Sequence, residues 1–94
     1  MRRAAKIDEN QPMLVEAFRR LGCSVLSLAT IGKGVPDLLV ATSGITWLVE
    51  VKIPKGKENQ KQLEFAENWQ GCRAVVRDLA GVETVVKTMR LTVK

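Results

Sequence analysis

Three observations predict an α/β fold with the element order α-β-β-β-α-β-α. Three segments carry apolar residues at helical spacing, four short runs are rich in strand formers, and a Ser-Gly pair joins two of those runs as a tight hairpin. The 94 residues suffice for one modest core, burying somewhat over ~60% of the unfolded surface, and are too few for a second. A single domain over residues 1–94 is therefore expected, with no repeat, low-complexity tract or linker.

The first helix is expected over residues 11–21. Pro12 marks its start with Asn10 or Gln11 as cap, Leu14, Ala17, Phe18 and Leu21 share one face, and Gly22 stops it. CSVLSLA at 23–29 reads as a strand, followed by a loop that holds Gly32 and Gly34. DLLVAT at 37–42 and ITWLVEVKI at 45–53 flank Ser43-Gly44 and form the hairpin, which Pro54, Lys55 and Gly56 end. Asn59, with Gln62 three residues later, makes a capping box for a second helix that runs to about Trp69 before Gly71. RAVVR at 73–77 is the fourth strand. Leu79, Val82, Val86 and Met89 then space a final amphipathic helix over 79–89, with Asp78 as its cap.

Composition removes several chemistries. The chain has no histidine, which excludes Ser-His-Asp and Cys-His catalysis, His-ligated zinc and imidazole acid-base chemistry. Carboxylates, lysines and a hard metal remain. Cys23 and Cys72 lack metal-ligand or CxxC spacing and are expected as reduced, partly buried thiols. No apolar run approaches the roughly 20 residues needed to cross a bilayer. The basic start MRRAAK leads into IDENQP rather than an apolar stretch, so no secretory signal is expected and a cytoplasmic location is. Fifteen Lys and Arg against ten Asp and Glu give a net charge of +5, compatible with a polyanionic partner and equally with solubility alone.

The hairpin carries the chemistry. Alternate side chains of a strand share a face, so Trp47, Val49, Val51 and Ile53 form one row while Thr46, Leu48, Glu50 and Lys52 form the other. With a two-residue turn at Ser43-Gly44, Thr42 opposes Ile45, and five steps outward Asp37 opposes Glu50 on the same face as Lys52. An odd-numbered loop without a bulge would part the two carboxylates. Opposed Cβ atoms lie about 4.5–5.5 Å apart. Two carboxylates so close repel by roughly 3 kcal/mol at an effective dielectric near 20. A divalent cation reverses that sign. Mg²⁺ suits the pair because it takes oxygen ligands, accepts one or two carboxylates and keeps water available for attack, and Lys52 could orient that water or offset charge on a phosphate.

The pattern GVPDLLV at 34–40, LVEVKIPKG at 48–56 and Gln62 six residues after Gly56 resembles the PD-(D/E)xK nuclease superfamily, and in particular its VRR-NUC (virus-type replication-repair nuclease) branch. The resemblance spans nearly the whole chain. It implies a restriction-endonuclease-like αβββαβ core with a C-terminal helix, its central mixed sheet flanked by helices. It also implies a Mg²⁺- or Mn²⁺-dependent endonuclease acting on DNA. Stand-alone phage and bacterial members are typically homodimers that cut branched DNA such as four-way (Holliday) junctions, in the setting of DNA repair. Carried onto this sequence, Asp37, Glu50 and the backbone carbonyl of Val51 hold the metal, Lys52 assists the attacking water and Gln62 supports the site. Many relatives carry a further acidic residue near the first helix. Asp8 or Glu9 is the candidate here, with Asn10 competing, whereas Glu16 lies off the apolar stripe and reads as solvated.

Each residue has a plainer alternative. Asp37 could be turn vocabulary after Pro36, Glu50 and Lys52 an outward polar pair on a half-exposed strand, and Gln62 no more than half of a capping box. Gln62 is nonetheless the only polar member of the helical arc made by Leu63, Phe65, Ala66 and Trp69, so an inward partner is expected for its amide. Lys33, Lys55, Lys57 and Lys61 would surround the mouth of the site and contact DNA phosphates without regard to sequence. Gly32-Lys33-Gly34 lacks the spacing of a phosphate-binding P-loop. Trp47 and Trp69 are expected in the core or in an interface between copies rather than under bases.

Overall fold

A computed structural model describes residues 7–93; the basic start, residues 1–6, on which the absence of a signal was read, lies outside the described residues. The order is α1 (Gln11–Arg20), β1 (Ser24–Ser27), β2 (Leu38–Thr42), β3 (Ile45–Val51), α2 (Gln60–Asn68), β4 (Arg73–Val76) and α3 (Leu79–Leu91). All seven expected elements are present, with ends shifted by up to two residues. No helix among the described residues is long and apolar enough to cross a membrane.

The sheet is mixed, in the order β1-β2-β3-β4, with β1-β2 and β2-β3 antiparallel and β3-β4 parallel. The β2-β3 register pairs Thr42 with Ile45 and Leu38 with Val49, which is the even, two-residue loop. Ser43 and Gly44 both have positive φ, 53° and 78°, as a type I′ turn demands. One face of the sheet meets α1 and α3. There Val25, Leu38, Val40, Val49, Val51 and Val76 pack against Leu14 and Phe18 of α1 and Val82, Val85, Val86 and Met89 of α3. β3 is buried on both faces, since Leu48 and Glu50 are covered as well as Val49 and Val51.

Two expectations about helices change. Asn10 occupies the cap position of α1 with no side-chain bond to its own helix, because its amide is spent elsewhere (below), and Leu79 opens α3 exposed at 49%, its place in the stripe taken by Val85. The larger change concerns α2. The arc of Leu63, Phe65, Ala66 and Trp69 is not a buried stripe: α2 has no buried residue, and Leu63 and Trp69 are 50% and 44% exposed. A helical wheel identifies an apolar side but not whether a partner surface exists for it.

What seats α2 is close backbone contact and polar pairing. Gly34 (φ +80°) lies so near the first turn of α2 that a Cβ there would fall 2.2 Å from the carbonyl oxygen of Lys61. At the other side Arg73 pairs with Glu58, just before the helix. Gly34→Ala should therefore combine a left-handed strain with a backbone collision and cost roughly 1–3 kcal/mol. Thermal melts should show the loss, and hydrogen exchange should rise most in Gln60–Asn68.

Candidate active site

The site lies on the sheet face away from α1 and α3, at the end of β3. One step beyond the paired residues Leu38 and Val49, the same register sets Asp37 opposite Glu50. Asp37 is half-buried, and its Oδ2 accepts the Val51 backbone N–H at 2.8 Å. That bond fixes the carboxylate against the strand that carries Glu50. Glu50 itself is 1% exposed, which removes the reading of Glu50 and Lys52 as an outward polar pair.

A carboxylate so deeply placed needs compensation. Gln62 supplies part of it, donating from Nε2 to Glu50 Oε2 at 3.0 Å. Its Oε1 meanwhile accepts the Asn59 N–H at 2.9 Å, and its backbone N–H donates to Asn59 Oδ1. The capping box and the inward amide are thus one residue used twice, not alternatives. The other oxygen, Glu50 Oε1, is buried without a hydrogen-bond partner. Burial first, then the hydrogen bond and negative charge of Asp37, push the Glu50 carboxyl up to about 8, against the opposing pull of Lys52 and Arg73. Two species can satisfy such a pair: a proton that Glu50 donates to Asp37, or a cation between them. An orphaned buried oxygen beside a second carboxylate fits a hard divalent ion.

The strand ends add oxygen donors. Continuing the ladder places Pro36 opposite Val51, at a position where the partner should donate to the Val51 carbonyl; proline has no N–H, so that carbonyl is left without a ladder partner. On the other side of β3, Lys52 N–H donates to Val76 O, and Asn10 Nδ2 then spans the strands by donating to Lys52 O at 3.0 Å and Arg77 O at 3.1 Å. Asn10 is thus a clamp on the strands that frame the site. Gln11, next in the chain, is buried with its Oε1 unpartnered.

Asp8 and Glu9 do not join the pair. Among the described residues no group of three Asp, Glu or Cys side chains forms, and the side chains that turn in from this segment are the amides of Asn10 and Gln11. Glu16 is solvated, as expected, in an exposed pair with Arg20.

Of the four lysines, Lys33 and Lys61 line one cavity with Glu64, Phe65, Asn68 and Trp69. Lys55 and Lys57 stand exposed on the loop leaving β3. That loop is braced by Arg77, whose Nη1 donates to the carbonyls of Ile53 at 3.1 Å and Gly56. Sequence reasoning passed over Arg73, Arg77 and the clamp by Asn10. All three depend on the parallel β3-β4 register, in which Arg73 opposes Leu48 on the face that carries Glu50. Cys23 is buried, with its thiol pushed up by burial, and Cys72 is exposed; both are free.

A solved structure described as a VRR_NUC domain is similar to this chain, with a TM-score of 0.70 and 32% identity, over 89% of this chain and 97% of that one. A scan against protein-family models finds no match, and neither does a search of curated proteins.

The buried pair should leave a signature on stability. The folded state holds the Glu50 proton up to about pH 8, whereas the unfolded chain releases it near 4.5, so folded protein binds more protons between those values. Stability is therefore fully present below the lower value and is lost as pH rises toward the upper one. In chelator, melts across that window should fall with pH in the parent and fall less in Glu50→Gln, which at the alkaline end should be at least as stable as the parent.

Proposed function

Because the chain belongs to the VRR-NUC family of nuclease domains, we propose that it is a Mg²⁺- or Mn²⁺-dependent endodeoxyribonuclease. In this reading it is selective for branched DNA such as four-way junctions and acts as a homodimer in DNA repair. The observation that carries the proposal is the opposed carboxylate pair, with Glu50 buried, its Oε1 unpartnered and Lys52 next along the same face.

Asp37, Glu50 and the Val51 carbonyl would hold the cation. When bound, such an ion neutralises charge at a phosphodiester and makes water a better nucleophile at neutral pH. The remaining roles belong to the chain. Val51 N–H ties down one oxygen of Asp37, and Gln62 ties down one oxygen of Glu50, so that each carboxylate presents its other oxygen in a fixed place. Lys52 orients the attacking water and offers an ammonium to the charge that builds on the phosphate in the transition state. Lys33, Lys55, Lys57 and Lys61 contact backbone phosphates, so binding weakens steeply with salt. A domain of this size covers few base pairs, and two copies related by symmetry would present two sites to the two strands of a junction.

The test uses labelled four-way junctions, flaps and linear duplex, with Mg²⁺, Mn²⁺ or chelator. Metal-dependent cutting of the branched substrates is expected. Asp37→Ala and Lys52→Ala should lower the rate by about 10²-fold or more while still retarding DNA. Gln62→Ala should lose roughly 10- to 100-fold, and part of that loss should be recovered at higher metal concentration. Retardation without cutting by the parent protein under every metal condition would reduce the chain to a DNA-binding module.

A further inference from the structure

The cavity between α2 and the Gly32–Gly34 turn is not used by the metal site. Its volume is about 310 Å³, and Lys33, Lys61, Glu64, Phe65, Asn68 and Trp69 line it. Phe65 and Trp69 form its aromatic wall, stacked with centroids 5.3 Å apart and planes 19° from parallel. Trp69 keeps 44% of its surface exposed, so it is not in the core of a single copy.

We propose that this cavity holds an unpaired nucleobase of the DNA substrate, stacked on the Phe65-Trp69 wall, with Lys33 and Lys61 on the flanking phosphates. The assignment rests on the reading of the chain as a DNA nuclease and adds a preference for single-stranded nucleotides beside the cut.

Four features support it. The first is composition: stacked aromatic rings, here a half-buried Phe65 and an exposed Trp69, beside ammonium groups are the usual platform for single strands, because every base has a face to stack and every nucleotide a phosphate. The second is hydrogen-bonding capacity. Asn68 Nδ2 is already committed to the Glu64 carbonyl at 2.9 Å, which leaves its Oδ1 as an acceptor. With the Glu64 carboxylate, the cavity then offers acceptors to ring N–H and exocyclic amine donors, which a bare phosphate lacks. The third is position: Lys33 and Lys61 are immediate neighbours of Gly34 and Gln62, Gly34 abuts the Lys61 carbonyl, and Gln62 bonds Glu50. The lysine end of the cavity is thus next in the chain to the residues that border the catalytic carboxylates. The fourth is conformation, since Lys33 is held at φ 59° between two glycines that also have positive φ, a costly setting for a lysine that merely solubilises.

A second copy of the chain is the competing occupant, as Leu63 on the same helix is also exposed. It fits less well, because a basic surface of that copy would leave Lys33 and Lys61 facing cations, whereas a nucleotide brings its own phosphate.

The experiment is done in chelator, so that binding is read apart from cleavage. The probe is a fluorescently labelled oligothymidylate of about ten nucleotides, within the usual site size for single strands, compared with a duplex of the same length. Trp69→Ala should weaken single-strand binding by at least about five-fold and duplex binding far less, Trp69→Phe should restore most of the affinity, and Lys33→Ala with Lys61→Ala should weaken both ligands. In a Trp47→Phe background, checked for fold by circular dichroism, the oligonucleotide should quench Trp69 emission. Unchanged single-strand affinity in Trp69→Ala, or an equal loss for single strand and duplex, would overturn the assignment. So would Trp69 emission that changes with protein concentration in the absence of DNA, together with a shift of Trp69→Ala to a smaller species in sedimentation, because the face would then belong to a second copy. Single-strand binding of this pattern in a protein that cuts nothing would retire the nuclease reading and leave the pocket standing; cutting without it would do the reverse.

Discussion

The burial of Glu50 opposite Asp37 is the constraint from which much of the molecule follows. Two carboxyl groups held against each other under a helix oppose folding in the absence of a counter-charge, and a chain of this size has only a small margin of stability to spare. The compensation is distributed. Gln62 reaches down from α2, Val51 N–H holds Asp37, and the cations of Lys52 and Arg73 act on Glu50 from the same side of the sheet. The register that creates the opposition is set six residues of chain away from each carboxylate, by a turn whose two residues accept positive φ. A one-residue slip would turn Glu50 into the aliphatic core under α1 and α3, where no polar partner waits. Core packing and site geometry therefore select the same register.

The two faces of the sheet are built to different standards. Under α1 and α3 the cover is aliphatic and closed. Under α2 it is polar and thin, because the helix contributes no buried residue and is held by a glycine contact, an ion pair and one amide. Such an element sits at the low-stability end of a domain, where local opening is cheap. For the proposed site, which would have to admit a phosphodiester, this is serviceable: the core keeps the strands in register whatever α2 does, and Gln62 couples the helix to the carboxylate only when it is seated.

How much of this could be read from residues depends on the range of the interaction. The hairpin was legible because its information is local: a Ser-Gly turn, an even count and a period of two place Asp37 against Glu50 with no tertiary knowledge. The capping box was legible for the same reason. The parallel pairing of β3 with β4 is non-local, so the roles of Arg73, Arg77 and Asn10 were invisible until the strands were set side by side. Asn10 has the composition of a helix cap, and only the two carbonyls left open where β3 and β4 end explain why its amide turns to them instead. The exposure of Trp69 and Leu63 in the single chain was not legible, because periodicity reports an apolar side and says nothing about the area available to cover it.

The place where β3 ends also explains why the site is there and not elsewhere on the strand. At Leu48 and Val49 β3 has a strand on each side, and its ladder groups are spoken for. At residues 51 and 52 both neighbours give out in different ways: β2 has not yet begun, since Pro36 offers no N–H, and β4 has passed into Arg77 and the cap of α3. On the β4 side an asparagine takes up the freed carbonyl. On the β2 side nothing in the ladder does, and that carbonyl belongs to the residue whose N–H already holds Asp37. A continuous ladder here would have satisfied the backbone and removed an oxygen donor. The Pro-Asp pair at the head of β2 does both jobs at once, withholding a donor from the strand and supplying a carboxylate to the same corner.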